Sequence, residues 1–251
     1  MPVIPNQMQV TLVSFHGEKP DELASLIRDC QNKLLESLKS AFLPYHLDQV
    51  HGTVVGLEGW RFAERIQNKN YLDLRRETRL VDPTVLLEFV RSDNFPSIPL
   101  AIGGYQHGED YGFVSRGDHP YQRSFSFRRD IAVAMGWPTE RSEPLDKLRR
   151  EFNTVNVLHK EHPTKTAVDD DYYFVLGRVD RRFAADALLK DTAESIRAFL
   201  ADRPALITIS RNALSIVAYL DTQLPLDTSS RFPVTDRNLD ATALLDLYPF
   251  A

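Results

Sequence analysis

A strand, a long amphipathic helix and a second strand follow one another twice in these 251 residues, and this repeated order limits the available folds more than any other feature. Met8 to Phe15 alternates as a first strand, and Pro20-Asp-Glu-Leu opens a helix whose Asp21 and Glu22 suit its N-terminus. Leu23, Leu26, Ile27, Leu34, Leu35 and Leu38 recur at helical spacing to about Phe42. The run Gln49-Val50-His51-Gly52-Thr53-Val54-Val55-Gly56-Leu57 follows as a second strand. After a polar stretch, Asp82-Pro83 starts a short helix over Thr84 to Arg91. In the second half, Ile98 to Tyr105 (with Pro99 marking an edge or strand start), Ser124 to Phe127 and Ile131 to Met135 read as strands. Leu145 to His159 reads as a helix with Leu145, Leu148, Phe152, Val155 and Leu158 on its apolar face. Tyr172 to Val179 reads as a strand, Ala184 to Leu200 as a helix, and Ala205 to Ser210 and Leu214 to Leu220 as two last strands. No linker rich in Gly, Ser or Pro divides the chain. The expectation is a single α+β unit, residues 1–224, of two lobes facing across a cleft, with a mostly polar tail, 225–251, wrapped onto it.

The chemistry concentrates on the second strand. Side chains two apart on a strand share a face, so His51, Thr53 and Val55 are expected on one side and Val50, Gly52 and Val54 on the other. An imidazole that exchanges a proton near neutral pH then stands beside a hydroxyl able to hold a phosphate oxygen. The same pair also fits an ordinary strand histidine and threonine, and the framework around it decides between the two.

Composition removes several alternatives. With Cys30 as the one cysteine, neither an intrachain disulfide nor a cysteine metal cluster can form, and a reduced, cytoplasmic setting is expected. The opening residues lack the basic and apolar regions of a signal peptide, and no apolar run reaches membrane-spanning length. A net charge of −5 disfavours general nucleic-acid coating but is compatible with a small phosphorylated ligand held by a few cations.

On four features the chain resembles the two-histidine phosphoesterase superfamily of RNA 2′,3′-cyclic phosphodiesterases and 2′-5′ RNA ligase-like proteins. These are the opening strand and helix, His51-Gly-Thr53-Val54, the run Ile131-Ala-Val-Ala-Met-Gly-Trp before the Leu145–His159 helix, and the strand ending Leu176-Gly177-Arg178. The resemblance spans about Met8 to Leu220. It implies a bilobal α+β fold with two antiparallel sheets facing a central cleft and helices outside. It also implies metal-free acid–base catalysis on a cyclic phosphate or 2′-5′ linkage of a nucleotide or RNA end, with no cofactor. Each lobe of such a protein supplies a His-x-Thr strand. Here the second set falls on Tyr173-Phe174-Val175, so Tyr173 replaces the histidine and Val175 the threonine. The alternative outcome of that exchange is a weakened nucleotide- or phosphate-binding module of the same fold.

The candidate catalytic residues are therefore His51, Thr53 and Tyr173, and the candidate substrate-binding residues are Arg178, Tyr45 and Arg61. Tyr173 reads first as a core or cleft-wall aromatic and second as an acid, and Arg178 reads equally as a solvated strand end. The basic stretch Arg61–Arg79 reads either as the cleft mouth or as a solvated face. His162-Pro163-Thr164 has the letters of a second motif but lies in a polar loop. His16 and Tyr45-His46 are substitute proton donors by position, while His107 and His119 fall in turn-rich, solvent-exposed segments. Asp169-Asp170-Asp171 reads as a loop before a strand and not as a metal site.

Overall fold

Two antiparallel sheets meet at the His51 strand in the computed structural model, which describes residues 8–250. Residues 1–7, read above for a targeting signal, and residue 251 lie outside the described residues. In the first sheet β1 (Gln9–Ser14) is central, followed in the chain by helix α1 (Asp21–Leu38) and the short edge strand β2 (Phe42–Pro44) of the second sheet. Next comes β3 (Gly52–Gly56), antiparallel to β1. The chain then makes a small separate meander: β4 (Gly59–Phe62), β5 (Arg65–Asn68), helix α2 (Lys69–Arg75) and β6 (Leu80–Val81).

Helix α3 (Pro83–Arg91) starts as its sequence demands, with Asp82 accepting from the backbone N–H groups of Thr84 and Val85 and Pro83 in the first turn. The second sheet is built from β7 (Ile98–Ile102), β8 (Phe125–Arg128) after the single-turn helix α4 (Pro120–Arg123), and β9 (Ile131–Pro138). Helix α5 (Pro144–Glu151) and β10 (Tyr172–Val179) follow. Helix α6 (Asp186–Asp202), β11 (Ala205–Ile209) and β12 (Leu214–Tyr219) close the core. The tail adds β13 (Ser230–Pro233) to the free edge of β12 and lays helix α7 (Ala241–Leu245) on α3. Sheet orders are β13-β12-β1-β3 and β11-β7-β9-β10-β2, with β8 pairing β9. Helices α1 and α6 pack together outside the second sheet. Among the described residues, no helix is long and apolar enough to cross a membrane.

Four local outcomes depart from the sequence reading. Helix α5 stops at Glu151 and tightens into a 3-10 turn that ends on Asn156 in the left-handed region, so His159 lies beyond it. The basic stretch after Arg61 forms the β4–β6 meander instead of a cleft mouth. Three of its cations are paired, Arg65 and Arg79 with nearby Asp82 and Glu77 and Arg61 with Asp246 of the tail. Pro99 is the second residue of β7, a strand flanked by β11 and β9, so only the strand-start reading survives.

The fourth departure sets the site. Leu12 opposes Val55 and Val13 opposes Thr53, which leaves Val54 as an extra residue, a β-bulge in β3. The bulge reverses the alternation, so Gly56, not Val55, follows Thr53 onto the cleft, and Val55 is fully buried. Strand β10 carries the same device: Val175 opposes Val133 and Gly177 opposes Ala132, so Leu176 is extra. His51, Thr53 and the bulge at Val54 therefore match Tyr173, Val175 and the bulge at Leu176 position for position.

Candidate functional site

The floor of the cleft is made where β3 crosses β10. A Cβ on Gly52 would stand 2.2 Å from the Tyr172 ring, so only glycine allows this approach. The Tyr172 hydroxyl, fully buried, is hydrogen-bonded to Ser14 on β1. Arg149 of α5 closes the joint from behind. Its guanidinium donates to the carbonyls of Val54 (3.0 Å) and Thr53 (3.2 Å) on one side. On the other side it donates to the carbonyls of Asp169 (2.9 Å) and Asp171 (3.0 Å) and to the Asp169 carboxylate (2.9 Å). A residue only 1% exposed thus ties both site strands together.

Above this floor, His51, Thr53, Tyr45, Tyr173 and Val175 line one cavity of 380 Å³. The His51 Nδ1–H donates to the Gln49 carbonyl (2.7 Å), which leaves the lone pair on Nε2. Burial pushes its pKa down to about 4, with the nearby His16 and Lys19 acting in the same direction and the Gln49 bond against it. The imidazole is therefore neutral and a proton acceptor at physiological pH. The hydroxyls of Thr53 and Tyr173 take no protein partner among the described residues. Tyr45 donates to Gln223 Oε1 (2.7 Å), and burial raises its pKa to about 12, so it stays a neutral hydroxyl on the wall.

Two of the expected binding residues are elsewhere. Arg61 sits on β4, paired with Asp246 at 2.6 Å and stacked on Phe250, outside the cavity lining. Arg178 is more than half exposed at the end of β10, where Asp130 accepts from it at 3.0 Å, and it too is absent from the lining. His162 lies buried behind the cleft with its Nε2 on Asp146 Oδ1 (2.8 Å), while Thr164 is on an exposed loop, so that triplet forms no second motif. His16 packs against the His51 ring, 5.7 Å between centroids. His46 instead caps a 3-10 turn, and His119 is half-buried and caps α4.

The Asp169-Asp170-Asp171 loop sends each carboxylate to a different place. Asp170 caps α5 through the Leu145 and Asp146 backbone N–H groups. Asp171 accepts from Trp137 Nε1 (2.7 Å), Ser115 (2.6 Å) and Arg123 (2.9 Å). Asp169 takes Arg149 and the His159 Nε2 (2.8 Å); burial opposes its ionisation, yet these partners hold its pKa at about 2. Among the described residues, no group of three or more His, Cys, Asp or Glu side chains is placed to hold a metal ion.

Sequence reasoning missed three residues here. His159 lines the cavity, and burial lowers its pKa to about 4. Arg128 lies 5.8 Å over the Tyr173 ring in an adjoining cavity of 480 Å³. Arg149 was the most accessible to inference: it falls four residues after Leu145, on the apolar stripe of α5, where a charge demands a buried partner.

No family model and no curated protein matches the sequence. Among solved structures, TT0787 of Thermus thermophilus is similar at 12% identity and a TM-score of 0.40, over 91% of this chain and 99% of its own. The conserved protein of unknown function ATU0111 from Agrobacterium tumefaciens is similar at 13% identity and 0.44, over 85% and 81%. Kluyveromyces marxianus Usb1, solved with uridine monophosphate, is similar at 10% identity and 0.39, over 91% and 98%. Superpositions this loose carry no information on the chemistry of the cleft, which stands on its own residues.

Proposed function

We propose that the cleft binds a nucleotide-type phosphate ester and opens a 2′,3′-cyclic phosphate or cleaves a 2′-5′ linkage by acid–base catalysis. The observation that carries this reading is the matched pair of bulges, which aims His51 with Thr53 and Tyr173 with Val175 into one cavity from two sheets. Thr53 donates its hydroxyl hydrogen to a non-bridging phosphate oxygen. His51 Nε2 takes a proton from water as the new O–P bond forms. The Tyr173 hydroxyl gives its proton to the leaving oxygen as the old P–O bond breaks, and proton return from His51 resets the site.

A second reading, binding with little turnover, is favoured by Val175, a side chain that offers nothing to a phosphate oxygen. The test is calorimetric binding and turnover of a nucleoside 2′,3′-cyclic phosphate and a 2′-5′ dinucleotide. The active reading expects turnover that His51→Ala abolishes and Thr53→Val weakens. Binding without turnover selects the second reading, and wild-type rates in His51→Ala remove His51 from the chemistry.

A further inference from the structure

Three cations at the cleft have no carboxylate. Arg128, half-buried at the end of β8, reaches only the Met135 sulfur (3.1 Å) and the face of Tyr173. Arg129 and Lys160 make no ion pair and no side-chain hydrogen bond among the described residues. The neighbouring cations are matched: Arg116 to Glu161, Asp169 and Asp171, Arg123 to Asp171, Arg149 to Asp169, and Arg178 to Asp130. The carboxylates that line the farther cavity are thus already paired, while Glu58, which lines the nearer one, accepts only from the Tyr219 hydroxyl.

Arg128 is half-buried and Arg129 and Lys160 are exposed, yet all three face cavities. Arg129 and Lys160 line both adjoining cavities, which share Thr53 and Tyr173 as a common wall, and Arg128 lines the farther one. Arg128 is also partly desolvated near Arg123 and Arg116, with Asp171, which those two already share, as the nearby opposite charge. Arg129 opens the two-residue turn between β8 and β9 with φ +54°, a left-handed conformation that glycine favours there. An arginine kept in strain, beside a guanidinium without a counter-ion, fits a site completed by an anion from outside.

We infer that Arg128, Arg129 and Lys160 form a second anion subsite beyond Thr53 and Tyr173, and that the ligand is a nucleotide carrying a further phosphate besides the ester at His51. This rests on His51 and Thr53 being the ester site. The test is calorimetric titration of adenosine 2′,3′-cyclic phosphate and of its 5′-phosphorylated derivative. With wild-type protein the 5′-phosphate tightens binding roughly tenfold or more, an advantage that shrinks with added salt. In Arg128→Gln the ratio between the two ligands collapses towards one. Arg129→Gly relieves the turn, so the melting temperature holds or rises while the ratio falls, a combination that a purely structural arginine does not give.

Equal binding of both ligands by wild-type protein, or a ratio that survives both substitutions, overturns the subsite while leaving the ester site standing. If neither ligand binds wild-type protein, the ester site fails and the subsite with it.

Discussion

Replacing Arg149 by methionine keeps most of the side-chain volume and removes the charge. Five hydrogen bonds go with it, and the Asp169 carboxylate is left in the interior with His159 and the half-exposed Arg116. Removing one partner of a buried ion pair costs about 3–5 kcal/mol. For 251 residues the unfolding entropy near the midpoint is roughly 0.5 kcal/mol per degree, so a loss of about 4 kcal/mol lowers the melting temperature by about 8 °C. Scanning calorimetry with parallel urea unfolding measures both quantities. The companion variant Asp169→Asn separates the terms, because Arg149→Met should cost markedly less in that background. A loss below about 1 kcal/mol, or the same loss with and without the Asp169 carboxylate, refutes the account of Arg149 as a buried charged clamp.

Three further outcomes follow from the same geometry. His51 and His159 are both held near pKa 4 against an ordinary 6.5, so the unfolded chain binds more protons between those values. Stability is full above pH 6.5 and falls on acidification by about 3 kcal/mol per histidine by pH 4. Asp170, raised to about 6 by burial, offsets part of this, while His16 and His162, also lowered by burial, add to the loss; the net fall is readable by urea titration across pH, and a flat profile contradicts it. Gly52→Ala drives a Cβ into a ring that cannot retreat and should cost about 3 kcal/mol or more; an unchanged urea midpoint would show that β3 and β10 are not locked there. Tyr173→His with Val175→Thr should raise turnover by roughly 10²–10⁴ if the two bulged strands are chemically equivalent, and no gain on any cyclic phosphate counts against that equivalence.

The periodic elements were readable because burial writes its period into the sequence: α1, α3, α6 and the principal strands lie within a few residues of their expected positions. Tyr173 does line one cavity with His51, a placement that only the family resemblance implied, through the strand aligned with the second His-x-Thr. What the letters could not carry was long-range. A bulge is a property of two strands in register, so nothing local to Val54 announces that Val55 turns inward and Gly56 outward. Arg61 and Arg178 look available in sequence because their captors, Asp246 and Asp130, are 185 and 48 residues away. Arg128 drew no attention in the sequence. Only the folded cleft reveals that Arg128 lies half-buried over Tyr173 and that the carboxylates lining its cavity are paired elsewhere.

The joint between Gly52 and Tyr172 has one more consequence. Two sheets that touch ring against backbone at their base, with Ser14 and Arg149 fastening either side, cannot swing apart as a hinge would. The span from the His51 strand to the Tyr173 strand then behaves as a fixed calliper. If the proposed ester binds there, selection is expected to follow the width of the group presented, with a bulkier ester refused instead of being accommodated by opening of the lobes.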